Sequence, residues 1–380
     1  MSKIKILHIL LIIVFVFLLV TTTFAAEFNG NLDCKSAILM EASTGRILYE
    51  KNADEALPPA SVTKIMTLLL IMEAVDNGKI NLSDMVPVSE YAASMGGSQV
   101  YLKPGEEMTV EEMIKCVVIA SANDCAVALA EFLCGSEEAF VTEMNTRAKE
   151  LGMNNTNFEN TNGLDDTVTN HIISAKDIAI MSRELLKHNT ILKYSSIWMD
   201  TIRNGSFGLT NTNRLVRFYS GANGLKTGST AKAKFCISAT AQRDGMQLIA
   251  VIMAAPTRDI RNNAAKALLD FGFANYGIYN MPKGETTPIA VKGGVNDNCK
   301  LQYAEISLVL EKEKISKITQ RIELPESIKS PIKKGDKIGK VVLEYNGEEI
   351  GFSDVLAAEN VDTIDFGEIL KRILKGFCLS

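Results

Sequence analysis

A chain of 380 residues is long enough for two or three domains. Its 47% apolar and 22% charged residues are ordinary for a soluble globular protein. A formal charge of -5, with no basic run alternating with aromatics, argues against a general nucleic-acid binder.

The chain opens with an address. Lys3 and Lys5 form a basic n-region, Ile6 to Val20 is apolar except for His8, and Thr23-Phe24-Ala25 puts small residues at a cleavage site. The pattern is that of a secretory signal peptide over residues 1–25, cut after Ala25. The remaining chain is then expected outside the cytoplasmic membrane.

Ser36 to Glu41 and Arg46 to Glu50 read as two strands around Ala42-Ser43-Thr44-Gly45, a hairpin signal. Pro58-Pro59 then introduces a helix that ends near Gly78. Its run from Ile65 is apolar nearly all round, which predicts burial. Ser61 and Lys64, three apart, share one face of it, with Cβ atoms roughly 5–6 Å apart. A neutral lysine at that distance can take the proton that makes a serine a poor nucleophile. The helix N-terminus would add donors for an oxyanion. The spacing alone is weak, since S-x-x-K also occurs at Ser2/Lys5, Ser229/Lys232 and Ser330/Lys333.

Val86 to Gly105 reads as a connection. Thr109 to Ile119 is helical, with Thr109 and Glu112 forming a capping box. Ser121-Ala122-Asn123 separates it from a helix over about 124–133; Ser121 is also a candidate cap for that helix. Ser136 caps a further helix that closes at Leu151-Gly152. Met153 to Asn170 is a polar loop in which Asp165 and Asp166 read as turn formers. Ser174 opens a helix to His188, and Asn211 to Gly224 is loop and short strand. Phe235–Gln242 and Gln247–Ala254 flank an Asp-Gly turn, and Thr257 to Asn275 is the last long helix. Helices in the middle and strands at both ends predict an α+β fold, an antiparallel sheet packed by helices.

From Thr287 to Glu359 short Val, Ile and Leu strands alternate with Gly, Asn and Pro turns, and no helix is expected. Phe366, Ile369, Leu370, Ile373, Leu374 and Phe377 then form one stripe flanked by Lys371, Arg372 and Lys375. This predicts an amphipathic helix over 363–380 lying on a membrane surface, after a catalytic domain over 26–280 and a small β-rich domain over 281–362.

The seven cysteines include no C-x-x-C, and Cys116, Cys125, Cys134 and Cys236 sit in apolar patterns as buried thiols. Neither a disulfide framework nor a zinc site is expected. His171 reads as a structural hydrogen-bonder, and no metal or other cofactor is implied.

Ser61-x-x-Lys64, Ser121-x-Asn123 and Lys226-Thr227-Gly228 stand in the order and setting of the penicillin-recognising serine enzymes. With Ala37 to Tyr49, Pro59 to Thr67, Leu151 to Phe158, Asn162-Gly-Leu and Gly224 to Thr230, the chain resembles the low-molecular-mass penicillin-binding proteins of the serine-type D-alanyl-D-alanine carboxypeptidase family. The likeness covers essentially all residues after the signal. It implies a hydrolase that removes the terminal D-alanine from peptidoglycan stem pentapeptides and is inhibited by covalent β-lactam binding. It also implies a role for each motif residue. Ser61 would be the nucleophile, Lys64 its base and Ser121 a proton relay. Asn123 would hold the substrate amide, and Lys226 and Thr227 the terminal carboxylate. Gly228 would let the strand approach the substrate, and the backbone N–H groups of Ser61 and Ser229 would form the oxyanion hole. Arg258 is a weaker carboxylate candidate. The family would place the protein peripherally on the outer face of the cell membrane. A β-lactamase, an endopeptidase on cross-links and a non-catalytic penicillin sensor share these motifs. Against a class A β-lactamase, Glu159 and Asn162 are three apart, where its deacylating pair is four apart.

Overall fold

A computed structural model describes residues 28–377 except 167. The expected signal peptide and Cys378 lie outside the described residues.

Two strands, β1 (Ser36–Glu41) and β2 (Ile47–Lys51), form the expected hairpin. They join β3 (Ala222–Thr230), β4 (Lys234–Arg243) and β5 (Met246–Ala255) in one antiparallel sheet of order β2-β1-β5-β4-β3. The chain ends of the first unit therefore meet in the sheet's centre, where β1 pairs with β5. All six residues of β1 are buried, because helices cover both faces of the sheet. Asp244 and Gly245 both have positive φ at the β4–β5 turn, the conformation that matches strand twist in a two-residue hairpin.

On one face lies a large core around α1 (Lys64–Asp76), whose side chains from Lys64 to Leu69 are all buried. Around it pack α2 (Val110–Lys115), α3 (Asn123–Cys134), α4 (Glu137–Glu150) and α5 (Ala175–Leu186). The opposite face packs against α6 (Arg258–Asn275). Thr109, Ser136, Ser174 and Thr257 each accept a hydrogen bond from the backbone N–H three residues on, so the sequence's capping signals set these helix starts.

The structure corrects several expectations. Met85–Pro87 and Glu107–Thr109 pair, and Glu90–Ala93 forms one helical turn, within and beside the expected connection. The helix expected to reach Ile119 is α-helical only to Lys115, then widens into a π turn over Cys116–Ala120. Residues 190–218 carry a helical turn at Thr190–Ser195, a hairpin of Met199–Ile202 with Phe207–Thr210, and another turn at Leu215–Phe218. Elements this short span fewer than two turns and leave no readable hydrophobic period.

After α6 the chain enters β6 (Tyr276–Met281), which pairs with β9 (Ile306–Glu311). A six-stranded sheet follows, of order β10-β12-β13-β8-β7-β11, from β7 (Gly284–Lys292), β8 (Asn298–Tyr303), β10 (Ile318–Glu323), β11 (Ser327–Lys329), β12 (Lys337–Tyr345) and β13 (Glu348–Ala357). It has its own core, centred on Cys299, Leu301, Leu343 and Val355. One helical turn, Lys312–Ile315, interrupts the expected all-strand pattern. The two units touch where Arg46 donates to Val309 O and pairs with Glu311 at 3.4 Å.

The chain closes with α7 (Phe366–Phe377), whose Phe366, Ile369, Leu370, Ile373 and Leu374 are exposed. Arg372 donates to Asp297 and Val295 O. Among the described residues, no helix is long and apolar enough to cross a membrane. The six described cysteines are free thiols, all buried but the half-buried Cys134.

Candidate active site

Ser61 does not begin an α-helix. It sits in a 3₁₀ turn, Ala60–Thr63, that runs into α1 at Lys64. In that tighter turn positions three apart eclipse, which stacks Lys64 directly against Ser61. Lys64 Nζ lies 3.0 Å from Ser61 Oγ, 2.6 Å from Asn123 Oδ1 and 2.8 Å from Asn162 O. As an ammonium, Lys64 donates to all three. As a neutral amine it keeps two N–H groups, and the two amide oxygens can only accept. Its lone pair then faces Ser61, whose hydroxyl donates to it. Burial holds the Lys64 pKa well below its ordinary value, and the nearby Lys226 charge pushes it the same way; Asp124 opposes both.

The loop that supplies Asn162 O is tightly held. Thr161 donates to Glu137 Oε1 from its N–H at 2.9 Å and its hydroxyl at 2.7 Å, and Thr67 Oγ1 donates to Thr161 O at 2.6 Å. Gly163 has φ +82°, and a Cβ there would lie 1.9 Å from Ala60 O, so only glycine lets this loop cross the start of the Ser61 turn. His171 buttresses the same turn. Its Nδ1 accepts from Glu159 N at 3.0 Å, which leaves Nε2–H to donate to Thr63 Oγ1 at 2.8 Å. Burial lowers its pKa to about 4, so the ring is neutral, in keeping with a structural role.

Ser121 ends the π turn in a left-handed conformation, φ 65° and ψ 30°. This overturns its reading as a cap. Ala122 occupies the N-cap of α3, and no side chain caps that helix. Ser121 Oγ instead accepts from Lys226 Nζ at 2.9 Å, and Lys226 also donates to Thr227 O at 2.9 Å. Lys226 is fully buried; burial, aided by the Arg261 charge, lowers its pKa to about 7. Asn123 bridges two walls: Oδ1 accepts from Lys64, and Nδ2 donates to Gly96 O at 2.7 Å. One Asn123 N–H stays free of both.

Thr227 donates to Thr212 Oγ1 at 2.8 Å. The strand's close approach at Gly228 is to the Ser61 turn itself. A Cβ there would lie 2.8 Å from both Pro59 O and Ser61 N. Ser229 is exposed beside it. Asp165 is more than a turn former, since Thr230 Oγ1 donates to its Oδ2 at 2.5 Å and ties the loop to the end of β3. Asp166 is exposed. Glu159 accepts from Thr169 N and Asn170 N at 3.0 and 2.8 Å, within its own loop.

A cleft of about 590 Å³ opens onto Ser61, Ser121, Thr227 and Ser229. Its charged lining is Arg214, Arg258 and Arg261, with no carboxylate. Sequence reasoning missed Arg261. It is buried, donates to Cys236 O at 3.3 Å, and grips Asn262 Oδ1 through Nε and Nη2 at 3.1 and 2.9 Å. The Arg-x-x-Arg spacing with Arg258 on the first turns of α6 was the available signal. Asn162 was noticed only as part of a motif; its contribution is a backbone oxygen.

A serine beside a buried, proton-poor lysine, with a second Ser–Lys pair across a cleft, defines a serine hydrolase. Residues 21–257 match the family model described as D-alanyl-D-alanine carboxypeptidase, and residues 281–363 the model of the penicillin-binding protein 5 C-terminal domain. A Bacillus subtilis D-alanyl-D-alanine carboxypeptidase, DacF, is 47% identical over 349 residues, 90% of this chain and 89% of that protein. The crystal structure of penicillin binding protein 5 from Haemophilus influenzae aligns with TM-score 0.77 at 31% identity, over 88% of this chain and 98% of that one. Penicillin-Binding Protein D2 from Listeria monocytogenes, in its ampicillin-bound form, aligns with TM-score 0.59 at 32% identity, over 64% of this chain and 99% of that one. The chain belongs to the D-alanyl-D-alanine carboxypeptidase family of penicillin-binding serine hydrolases.

A Gly228→Ala substitution is expected to push β3 off the Ser61 turn. It should slow acylation by a fluorescent penicillin at least about 100-fold and cost about 1–3 kcal/mol of stability by overpacking. Stopped-flow labelling and thermal melting check this; wild-type labelling would refute the close-approach argument.

Proposed function

We propose that Ser61 is the nucleophile of a serine-type carboxypeptidase that removes the terminal D-alanine from peptidoglycan stem pentapeptides. The observation that carries this reading is the Lys64 amine, held by two carbonyl acceptors with its third direction on Ser61 Oγ. Neutral Lys64 takes the Ser61 proton as Oγ attacks the carbonyl of the penultimate D-alanine. The Ser61 and Ser229 backbone N–H groups stabilise the oxyanion. Ser121, bonded to Lys226, gives its hydroxyl proton to the leaving D-alanine nitrogen as the C–N bond breaks and takes in its place the proton that Lys64 removed from Ser61, which leaves Lys64 neutral. As water attacks the ester, neutral Lys64 takes its proton and hands it to Ser61 Oγ as the ester C–O bond breaks. The free Asn123 N–H holds the acyl-side amide. Lys226 bonds two protein oxygens, so in this reading Thr227 and the cleft arginines supply most of the hold on the terminal carboxylate.

β-Lactams, carried by the same carboxylate contacts, would acylate Ser61; the ampicillin-bound relative supports this. We further propose a signal peptide over 1–25, a catalytic domain over 26–280, a β-rich domain over 281–362 and a membrane-surface helix over 363–380. The exposed apolar stripe of α7 supports the last of these. The protein would then work outside the cytoplasmic membrane, held on its outer face.

Incubation with a diacetyl-Lys-D-Ala-D-Ala peptide should release D-alanine, and Ser61→Ala should abolish that release. Release that persists in the variant would remove Ser61 from the mechanism. The acylation rate should rise with pH through the lowered Lys64 pKa, since only the neutral amine is a base. Lys226→Gln removes a cation that favours neutral Lys64, so the acid limb should move to higher pH; an unmoved limb would refute the electrostatic role of Lys226. Deleting residues 366–380 should release the protein from membranes with activity intact, and a truncated protein that still sediments with vesicles would rule out this anchor.

A further inference from the structure

Tyr101 stands out from the rest of the described surface. Its backbone is left-handed, φ 60°, a conformation that bulky side chains avoid. The residue is nevertheless 66% exposed. The strain is imposed from both sides. Asp124 accepts from Val100 N at 3.0 Å and Leu102 N at 3.1 Å, the two residues flanking Tyr101. Arg203 donates to Val100 O at 2.8 Å and Tyr101 O at 3.4 Å, and is itself held by Glu106. Backbone strain of this kind persists only where the surroundings over-determine it. Here the result is a fixed backbone that projects the Tyr101 side chain toward solvent, its ring edge-on to Phe207 with centroids 6.4 Å apart, and Arg203 lies over the Phe207 ring. Lys103, Glu106 and Arg203 add polar groups to the cavity of about 570 Å³ beside it.

This platform is joined to the catalytic wall. The residue before Asp124 is Asn123, whose N–H donates to Ser98 O at 2.7 Å and whose side chain bonds both Gly96 O and Lys64. Ser98 lines the cleft. Tyr101 is three residues further, at most about 11 Å of extended chain. In the reading proposed above, on which this inference rests, the leaving D-alanine lies by Ser121 and Thr227. The acyl side of the peptide runs past Asn123 toward this loop. Four residues separate the attacked carbonyl from the sugar that carries a stem peptide, a reach of about 14 Å when extended.

We propose that Tyr101 and Phe207 form a saccharide platform that takes an N-acetylated pyranose of the glycan strand bearing the stem peptide. The C–H face of the sugar stacks on the Tyr101 ring, and Lys103, Glu106 and Arg203 face its hydroxyl and acetamido groups. An exposed tyrosine on a fixed backbone, with only two side-chain torsions to order, offers such a contact at low conformational cost.

The test pairs one pentapeptide with and without its disaccharide. The wild-type protein should show kcat/KM about tenfold higher on the sugar-bearing form, mainly through KM, the scale of one aromatic contact. Tyr101→Ala should abolish that preference and leave the sugar-free rate unchanged, and Tyr101→Trp should retain it. Equal rates on both substrates in the wild type, or an equal loss on both in Tyr101→Ala, would overturn the proposal. Calorimetric titration with a peptide-free oligosaccharide of alternating N-acetylglucosamine and N-acetylmuramic acid decides separately from catalysis. Binding lost in Tyr101→Ala supports the platform even if no D-alanine is released. Absent or Tyr101-independent binding refutes it even if the carboxypeptidase reading holds.

Discussion

The geometry of one nitrogen governs the catalytic half of this protein. Lys64 Nζ is surrounded by two oxygens that can only accept hydrogen bonds and one hydroxyl that can do either. Taking a proton from the amine therefore leaves one place for its lone pair. Three separate parts of the chain must meet to make that true: the 3₁₀ turn before α1, the start of α3, and the loop that follows α4. Burial of the lysine weakens its charge, but an amine buried without these acceptors would itself be costly. The elements that pin them, Gly163 against Ala60, Glu137 under Thr161 and Asn123 on Gly96, are arranged around this requirement.

Three of the chain's left-handed non-glycine residues border the same place. Ala60 is left-handed at the first position of the Ser61 turn, Ser121 is left-handed at the end of a π turn, and Tyr101 is left-handed on the adjoining loop. Each such residue costs on the order of 1–3 kcal/mol and survives only where neighbours over-determine it. The surrounding sheet carries bulges and left-handed residues of its own, at Lys234 and Ala254. It is a frame whose central pairing of β1 with β5 closes the first unit and whose β3 lies against the Ser61 turn.

Much of this was legible in the sequence. The β1–β2 and β4–β5 hairpins, the four capped helices and the change to strands after residue 280 announce themselves through turn residues, caps and period. The three motifs named side chains that do converge. Spacing could not reveal that Ser61 sits in a 3₁₀ turn rather than an α-helix, because both place positions three apart on one side. The carbonyl of Asn162 was hidden for a different reason: a backbone oxygen carries no residue identity. Ser121 read as a proton relay and also as a candidate cap; the π turn that turns it away from capping leaves no pattern in Cys116–Ala120. The small elements between residues 190 and 218 are shorter than the period needed to see them, yet they bring Trp198 and Arg214 to the cleft.

Trp198 carries a practical consequence. It is the only tryptophan in the chain, and it lines the cleft, where Phe218 meets it edge-on and Arg217 lies over its ring. The intrinsic indole emission of the whole protein therefore originates at one wall of one cavity. Its wavelength reports the wetness of that cavity, its quenching reports what enters, and the β-rich unit is optically silent at that wavelength. This protein carries a built-in spectroscopic probe of its own occupancy.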